Sequence, residues 1–207
     1  MDSLLFVSRI ISGIPAMLAV VCDGVGSMID GAYASIEAVR LLNEWFSGIA
    51  DMLRAGLRLR DEVSSINAKI VADTTKKGVK TATTLSALLM AGRHYYIVHA
   101  GDSRVYAVDN TGLQPLTVDT VTETGKLTAV VGCRDNPELY YAEGVADSDV
   151  FLLCSDGLHK RIDDKTMFIN IDACSRKALR KTLKTLSCLA IEQGESDNIS
   201  IAIVKII

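Results

Sequence analysis

Residues 3–11 and 16–22 are near-continuous runs of Leu, Ile, Val, Phe and Ala, parted by Gly13-Ile14-Pro15. Apolar runs of that length, with little polar alternation, predict two buried strands joined as a hairpin. From Gly31 to about Phe46 the apolar residues shift to helical spacing, at Ile36, Val39, Leu42, Trp45 and Phe46. A second helical pattern, Met52, Leu53, Leu57, Val63, Ile66 and Ile70, follows Gly48. At Thr81 the period shortens again. TATTLSALLMA, HYYIVHA and SRVYAVD are short β-branched and aromatic runs, split by Gly92-Arg93 and Gly101-Asp102, and the last ends at Asn110-Thr111-Gly112. Residues 150–154 predict another strand. Residues from about 175 to 192 predict a helix with Leu179, Leu183, Leu186 and Leu189 on one stripe, and ISIAIVKII predicts a last strand. Hairpins dominate this order, so antiparallel sheets covered by helices (α+β) are expected rather than a parallel, doubly wound sheet. Without repeats, low-complexity stretches or a linker, residues 1–207 are read as one domain.

Composition narrows the function classes. An apolar fraction of 49% supplies a sizeable core, while a net charge of −3 offers no basic field for nucleic acid or an anionic membrane. No apolar run approaches a membrane span, and the N-terminal stretch lacks the basic region of a signal peptide. The five cysteines are odd in number and without CxxC spacing, and Cys22 and Cys154 sit inside apolar runs. That pattern argues against disulfides and zinc, and for a reducing, cytoplasmic setting.

Four acidic residues share one context. Asp23 follows AVVC, Asp102 follows YYIVHAG, Asp156 follows FLLCS, and Asp197 precedes NISIAIVKI. Each stands at the end of an apolar strand beside a Gly, Ser or Asn. Taken singly, an Asp-Gly after a strand is a turn. Taken together, converging strand ends would crowd four carboxylates, each raising the pKa of the others. A hard divalent cation relieves that repulsion, and all-oxygen ligation suits Mg²⁺ or Mn²⁺.

The stretches VVCDGVGSMIDGAYAS, TTLSALLMAGRHYYIVHAGDSRVY, LLCSDGL and SDNISIAIV resemble, in order and spacing, the signatures of the metal-dependent serine/threonine protein phosphatases of the 2C type. The resemblance covers nearly the whole chain. It implies a four-layer α-β-β-α sandwich with two central antiparallel sheets and a binuclear Mn²⁺ or Mg²⁺ centre at one end. It implies that Asp23 bridges two ions, that the Gly24 carbonyl ligates one, and that Asp156 and Asp197 complete the site, with Asp102 and Asp156 holding a weaker third ion. The implied reaction is hydrolysis of phosphoserine and phosphothreonine in proteins by a water bridging the two ions, without a covalent intermediate. A phosphorylated protein is the implied substrate, with a serine/threonine kinase or its targets as the partner class.

The sequence departs from that pattern in three places. An Arg and an Asn-Glu-Asp cluster precede the first Asp-Gly in the family, whereas here the chain starts at Met1-Asp2. Asp2 is therefore expected as the remnant of that cluster, beside the site, on an N-terminal strand shorter than the family's. Arg9 is the substitute phosphate binder to weigh against a plain strand-surface charge. Ser27 stands where the family has Gly, and the segment from about 117 to 127 is shorter than the family's flap, which predicts an open cleft. Of the remaining polar residues, His99 is expected in the core, His159 in a solvated loop, Arg104 in a structural bond near Asp102, and KALRKTLK (177–184) on the wet face of a helix. Two other classes compete. An inactive scaffold that binds phosphoprotein or a partner accords with the missing upstream residues but not with four retained aspartates. A haloacid-dehalogenase-type phosphatase wants a second Asp two residues after the first, where Val25 stands.

Overall fold

The structure, a computed structural model, describes residues 1–26 and 31–206. Ser27 therefore lies outside the described residues. The chain opens with β1 (Asp2–Ile11) and β2 (Ile14–Asp23), a hairpin turned at Ser12-Gly13 rather than at Pro15, which is already in β2 and faces Ile10. Two long helices follow, α1 (Gly31–Gly48) and α2 (Ala55–Lys77). Then come β3 (Leu85–Ala91), β4 (His94–Ala100), β5 (Arg104–Val108), β6 (Leu113–Pro115), β7 (Tyr140–Val145) and β8 (Val150–Cys154). The chain closes through α3 (Asp156–His159), α4 (Asp164–Asn170), α5 (Arg176–Glu192) and β9 (Ile201–Lys205).

All strands pair antiparallel, in one sheet ordered β1-β2-β3-β4-β7 and another ordered β6-β5-β8-β9. Side chains alternate across a strand, so the central strands serve two cores at once. Leu18, Val20 and Cys22 of β2 pack toward α1 and α2, whereas Ala19 and Val21 pack against the second sheet. In β8, Phe151 and Leu153 face the first sheet, and Leu152 and Cys154 meet Met167 of α4 and Leu186 of α5. Three cores separate four layers, the expected α-β-β-α sandwich. Burial on both faces is why these strands read as unbroken apolar runs. At α5 the buried row is Thr182, Leu186 and Ala190, offset from the expected leucine stripe, of which Leu179, Leu183 and Leu189 are half-buried; Lys177, Arg180, Lys181 and Lys184 are exposed, as the sequence predicts.

Several boundaries differ from expectation. Thr81 to Thr84 lie before β3, and Thr83 makes isolated bridges to Gly24 and Val131 instead of joining a strand. Met52 and Leu53 precede α2, and β6, β7, α3 and α4 had no clear sequence signal. Among the described residues, no helix is long and apolar enough to cross a membrane.

Candidate functional site

The ends of β2, β4, β8 and the loop entering β9 converge at one end of the sandwich. Asp23 closes β2 and stands directly across the ladder from Asp2 of β1. Its backbone is fixed by the two threonines before β3: its N–H donates to Thr84 Oγ1 (3.0 Å), and its carbonyl accepts from Thr84 N (2.8 Å) and Thr83 Oγ1 (2.9 Å). Gly24 is held by its N–H to the Met1 carbonyl (3.0 Å), and its own oxygen lies 3.4 Å from the terminal ammonium. Asp102 sits in the tight turn between β4 and β5. Gly101 before it adopts φ 112°, and a Cβ there would lie 2.6 Å from Thr84 Cβ, so a side chain would push apart the turns carrying Asp23 and Asp102. Asp156 opens α3. Gly157 after it backs onto the loop of Asp197, where a Cβ would collide with the Asn198 carbonyl oxygen. Ser155 clamps the same loop, its N–H donating to the Ser200 carbonyl (3.0 Å) and its hydroxyl accepting from Ser200 N (3.0 Å).

Asp23, Gly24, Asp102, Asp156 and Asp197 line a cleft of about 230 Å³, together with Met1, Thr84, Gly125, Leu127 and Lys160. The five residues expected at an ion centre therefore share one wall system, and Asp2 stands beside it. They are not equivalent. Burial, then the charges of Asp2 and Asp156, push the Asp23 carboxyl up to about 9. Burial also opposes ionisation of Asp156, but the hydrogen bond and charge of Lys160 prevail and hold it below the usual carboxylate range. Asp197 is exposed, with Oδ1 accepting from Asn198 N (2.7 Å).

Among the described residues, no three His, Cys, Asp or Glu side chains are set to grip one ion as they stand. The donor chemistry nevertheless fits hard divalent cations around Asp23. Both carboxylate oxygens of Asp2 and Oδ1 of Asp156 are buried without a hydrogen-bond partner. Unpartnered buried carboxylate oxygens are costly. Together with the raised Asp23 carboxyl between them, they describe a place that is short of positive charge.

Lys160, Asp119, Glu195 and Ser155 were not singled out from the sequence. Lys160 Nζ bridges Asp102 Oδ2 (2.9 Å) and Asp156 Oδ2 (2.7 Å). Its spacing of four from Asp156 was the available signal. Glu195 accepts from Ser196 N, Asp197 N and Arg161 Nε, which shapes the loop carrying Asp197 and lowers its own carboxyl to about 2. Arg104 forms a two-pronged pair with Asp119 (2.9 and 2.8 Å), the structural bond expected of it, within the 117–127 segment that borders the cleft. Thr120 ties that segment to Gly101 through both backbone groups.

Two expectations are corrected. His159 is not a solvated loop residue: it is half-buried on α3, and Nε2 donates to the Asp102 carbonyl (2.8 Å), steadying that turn. Arg9 is neither a phosphate binder at the cleft nor a free surface charge. It lies seven positions along β1 from Asp2 and donates to the carbonyls of Ser47 and Ile49, capping the end of α1, with its guanidinium over the Phe46 ring. His99 is wholly buried, as expected.

Comparison with known proteins agrees with this architecture. The serine/threonine protein phosphatase PstP of Mycobacterium tuberculosis is 28% identical over 215 residues, which take in 93% of this chain and 41% of that protein, so the chain spans about two fifths of its length. The serine/threonine phosphatase stp of Listeria welshimeri is 30% identical over 213 residues, or 91% of this chain and 84% of that protein. The crystal structure of Stp1 from Staphylococcus aureus matches the fold with a TM-score of 0.87 at 20% identity, covering 100% of this chain and 88% of that one. A sequence profile described as protein phosphatase 2C matches residues 6–188, a span that takes in Asp23, Asp102 and Asp156, and the chain belongs to that family.

Proposed function

We propose that this protein hydrolyses phosphoserine and phosphothreonine in phosphoprotein substrates, with two divalent cations, Mn²⁺ or Mg²⁺, held around Asp23. The observation that carries this reading is the environment of Asp23. A strand-end carboxyl, pinned through its backbone by Thr83 and Thr84, lies between Asp2, both of whose buried oxygens lack a partner, and Asp156, whose buried Oδ1 lacks one. Asp23, Asp2 and Asp156 would hold the cations, with the Gly24 carbonyl as a neutral ligand and Asp197 at the exposed side. Bound there, such ions supply Lewis acidity toward phosphoryl oxygens and an activated water. The chain's own part is positional. The threonine bonds fix the direction of the Asp23 carboxylate, Ser155 and Gly157 set Asp197 against Asp156, and the 117–127 segment leaves the cleft open to a phosphorylated side chain on a folded protein.

The test is hydrolysis of an aryl phosphate and a phosphothreonine peptide, with and without millimolar Mn²⁺. Metal-dependent turnover is expected, falling about 100-fold or more in Asp23→Asn. Folded protein that binds Mn²⁺ and turns over neither substrate would favour the scaffold reading. Turnover that is indifferent to metal and to Asp23→Asn would remove the proposed centre altogether.

A further inference from the structure

Lys160 follows α3 immediately, one turn after Asp156. Its ammonium lies between Asp102 Oδ2 and Asp156 Oδ2, at 2.9 and 2.7 Å. Among the described residues, no other basic side chain forms an ion pair with either carboxylate. The backbone that carries each partner is anchored. The Asp102 carbonyl is held by His159 Nε2, and the preceding Gly101 is tied by its N–H and carbonyl to Thr120. Asp156 starts a helix whose next residue is packed against the Asn198 carbonyl. The two carboxylates thus form a fixed jaw, and the ammonium closes it with charge-assisted hydrogen bonds to both sides. A divalent ion seated between the same oxygens would have to displace Lys160 and would meet its charge at close range.

We infer that Lys160 is a tethered cation for the Asp102–Asp156 pair, closing that position to a third divalent ion and limiting the centre to the two ions around Asp23. The inference rests on the two-ion reading proposed above and adds to it a built-in charge whose presence does not follow the supply of free metal. It leaves Asp156 Oδ1, the buried oxygen without a partner, facing the Asp23 side. Asp156 would then divide its two oxygens between Lys160 and the ions.

Equilibrium dialysis against millimolar Mn²⁺ with metal analysis tests this on the full chain, with circular dichroism to confirm that each variant is folded. The expected stoichiometry is two Mn²⁺ for the wild type and three for Lys160→Met, the added ion the weakest. Lys160→Met combined with Asp102→Asn should return to two, which separates a third ion in the jaw from binding elsewhere on the surface. Three ions in the wild type, two in Lys160→Met, or three in the double variant would each overturn the inference while leaving the two-ion centre standing. Fewer than two in the wild type would instead remove the two-ion reading, and the inference with it.

Discussion

His99 has no part in the cleft, yet its environment sets how the molecule responds to acid. The ring is buried, with Nε2 donating to the Val118 carbonyl (3.1 Å) and Nδ1 2.9 Å from Ser86 Oγ. Burial holds its pKa below 6.5, so the folded protein keeps a neutral ring. Below about pH 6.5 the unfolded chain takes up a proton that the folded state refuses, so stability falls as pH drops. His159, lowered by burial and then by the charge of Arg104, has the same sign. From about pH 6.5 to about 5 the two histidines should therefore pull the urea midpoint down, against the opposite pull of Asp23, whose raised carboxyl is protonated in the fold and ionised in the unfolded chain. His99→Gln should weaken the downward pull, leaving the His159 share. An unchanged slope in the variant would remove His99 from the account. The buried character of His99 was legible because it alternates within an apolar strand. The role of Lys160 was not: its tie to Asp156 is local, but its tie to Asp102 spans 58 positions and exists only once β4, β5 and α3 are assembled.

Among the elements, the segment between β6 and β7 depends on tertiary bonds rather than on its own propensity. Residues 117–127 form no strand, yet Thr117 accepts from Val105 N, Thr120 is bound to Gly101, and Asp119 holds Arg104. The Arg104–Asp119 pair is half-buried and two-pronged, and Arg104 also reaches the Tyr106 hydroxyl (3.1 Å). Arg104→Ala should lower stability by about 1–3 kcal/mol and expose 117–127 to proteolysis. Limited proteolysis and urea unfolding check this, and a variant unchanged in both would show the pair to be decorative. The same dependence explains which elements could be read in advance. β2, β3, β8 and the long helices α1, α2 and α5 carry strong apolar periods. The three-residue β6, the partly exposed β7 and the short α3 and α4 are fixed by pairing and capping, as where Asp163 accepts from Thr166 N.

Over the whole molecule, antiparallel connectivity brings the ends of β2, β4 and β8 and the entry to β9 to one side, and each of these ends delivers an aspartate. The sequence showed that each carboxylate sits at a strand end; only the paired sheets show that Asp2 faces Asp23 and that Asp102 meets Asp156 through Lys160. This concentration of acid opposes folding when no cation is bound, since Asp23 is buried against Asp2 and Asp156. Ions that bind only the folded state should offset it by mass action, about 2.7 kcal/mol at a hundredfold excess over Kd. For a chain of this length that corresponds to about 5–10 °C in Tm. Chelation should lower the wild-type Tm by that amount relative to Mn²⁺-loaded protein. Asp23→Asn should lose most of the response to Mn²⁺, and its chelated Tm should equal or exceed that of the chelated wild type, because a neutral amide escapes the repulsion. A chelated variant clearly less stable than the chelated wild type would instead mean that Asp23 serves the fold and that the crowding of carboxylates is not a strain. The same scan carried out with and without Mn²⁺ therefore separates a site held against its own stability from one that the scaffold tolerates freely.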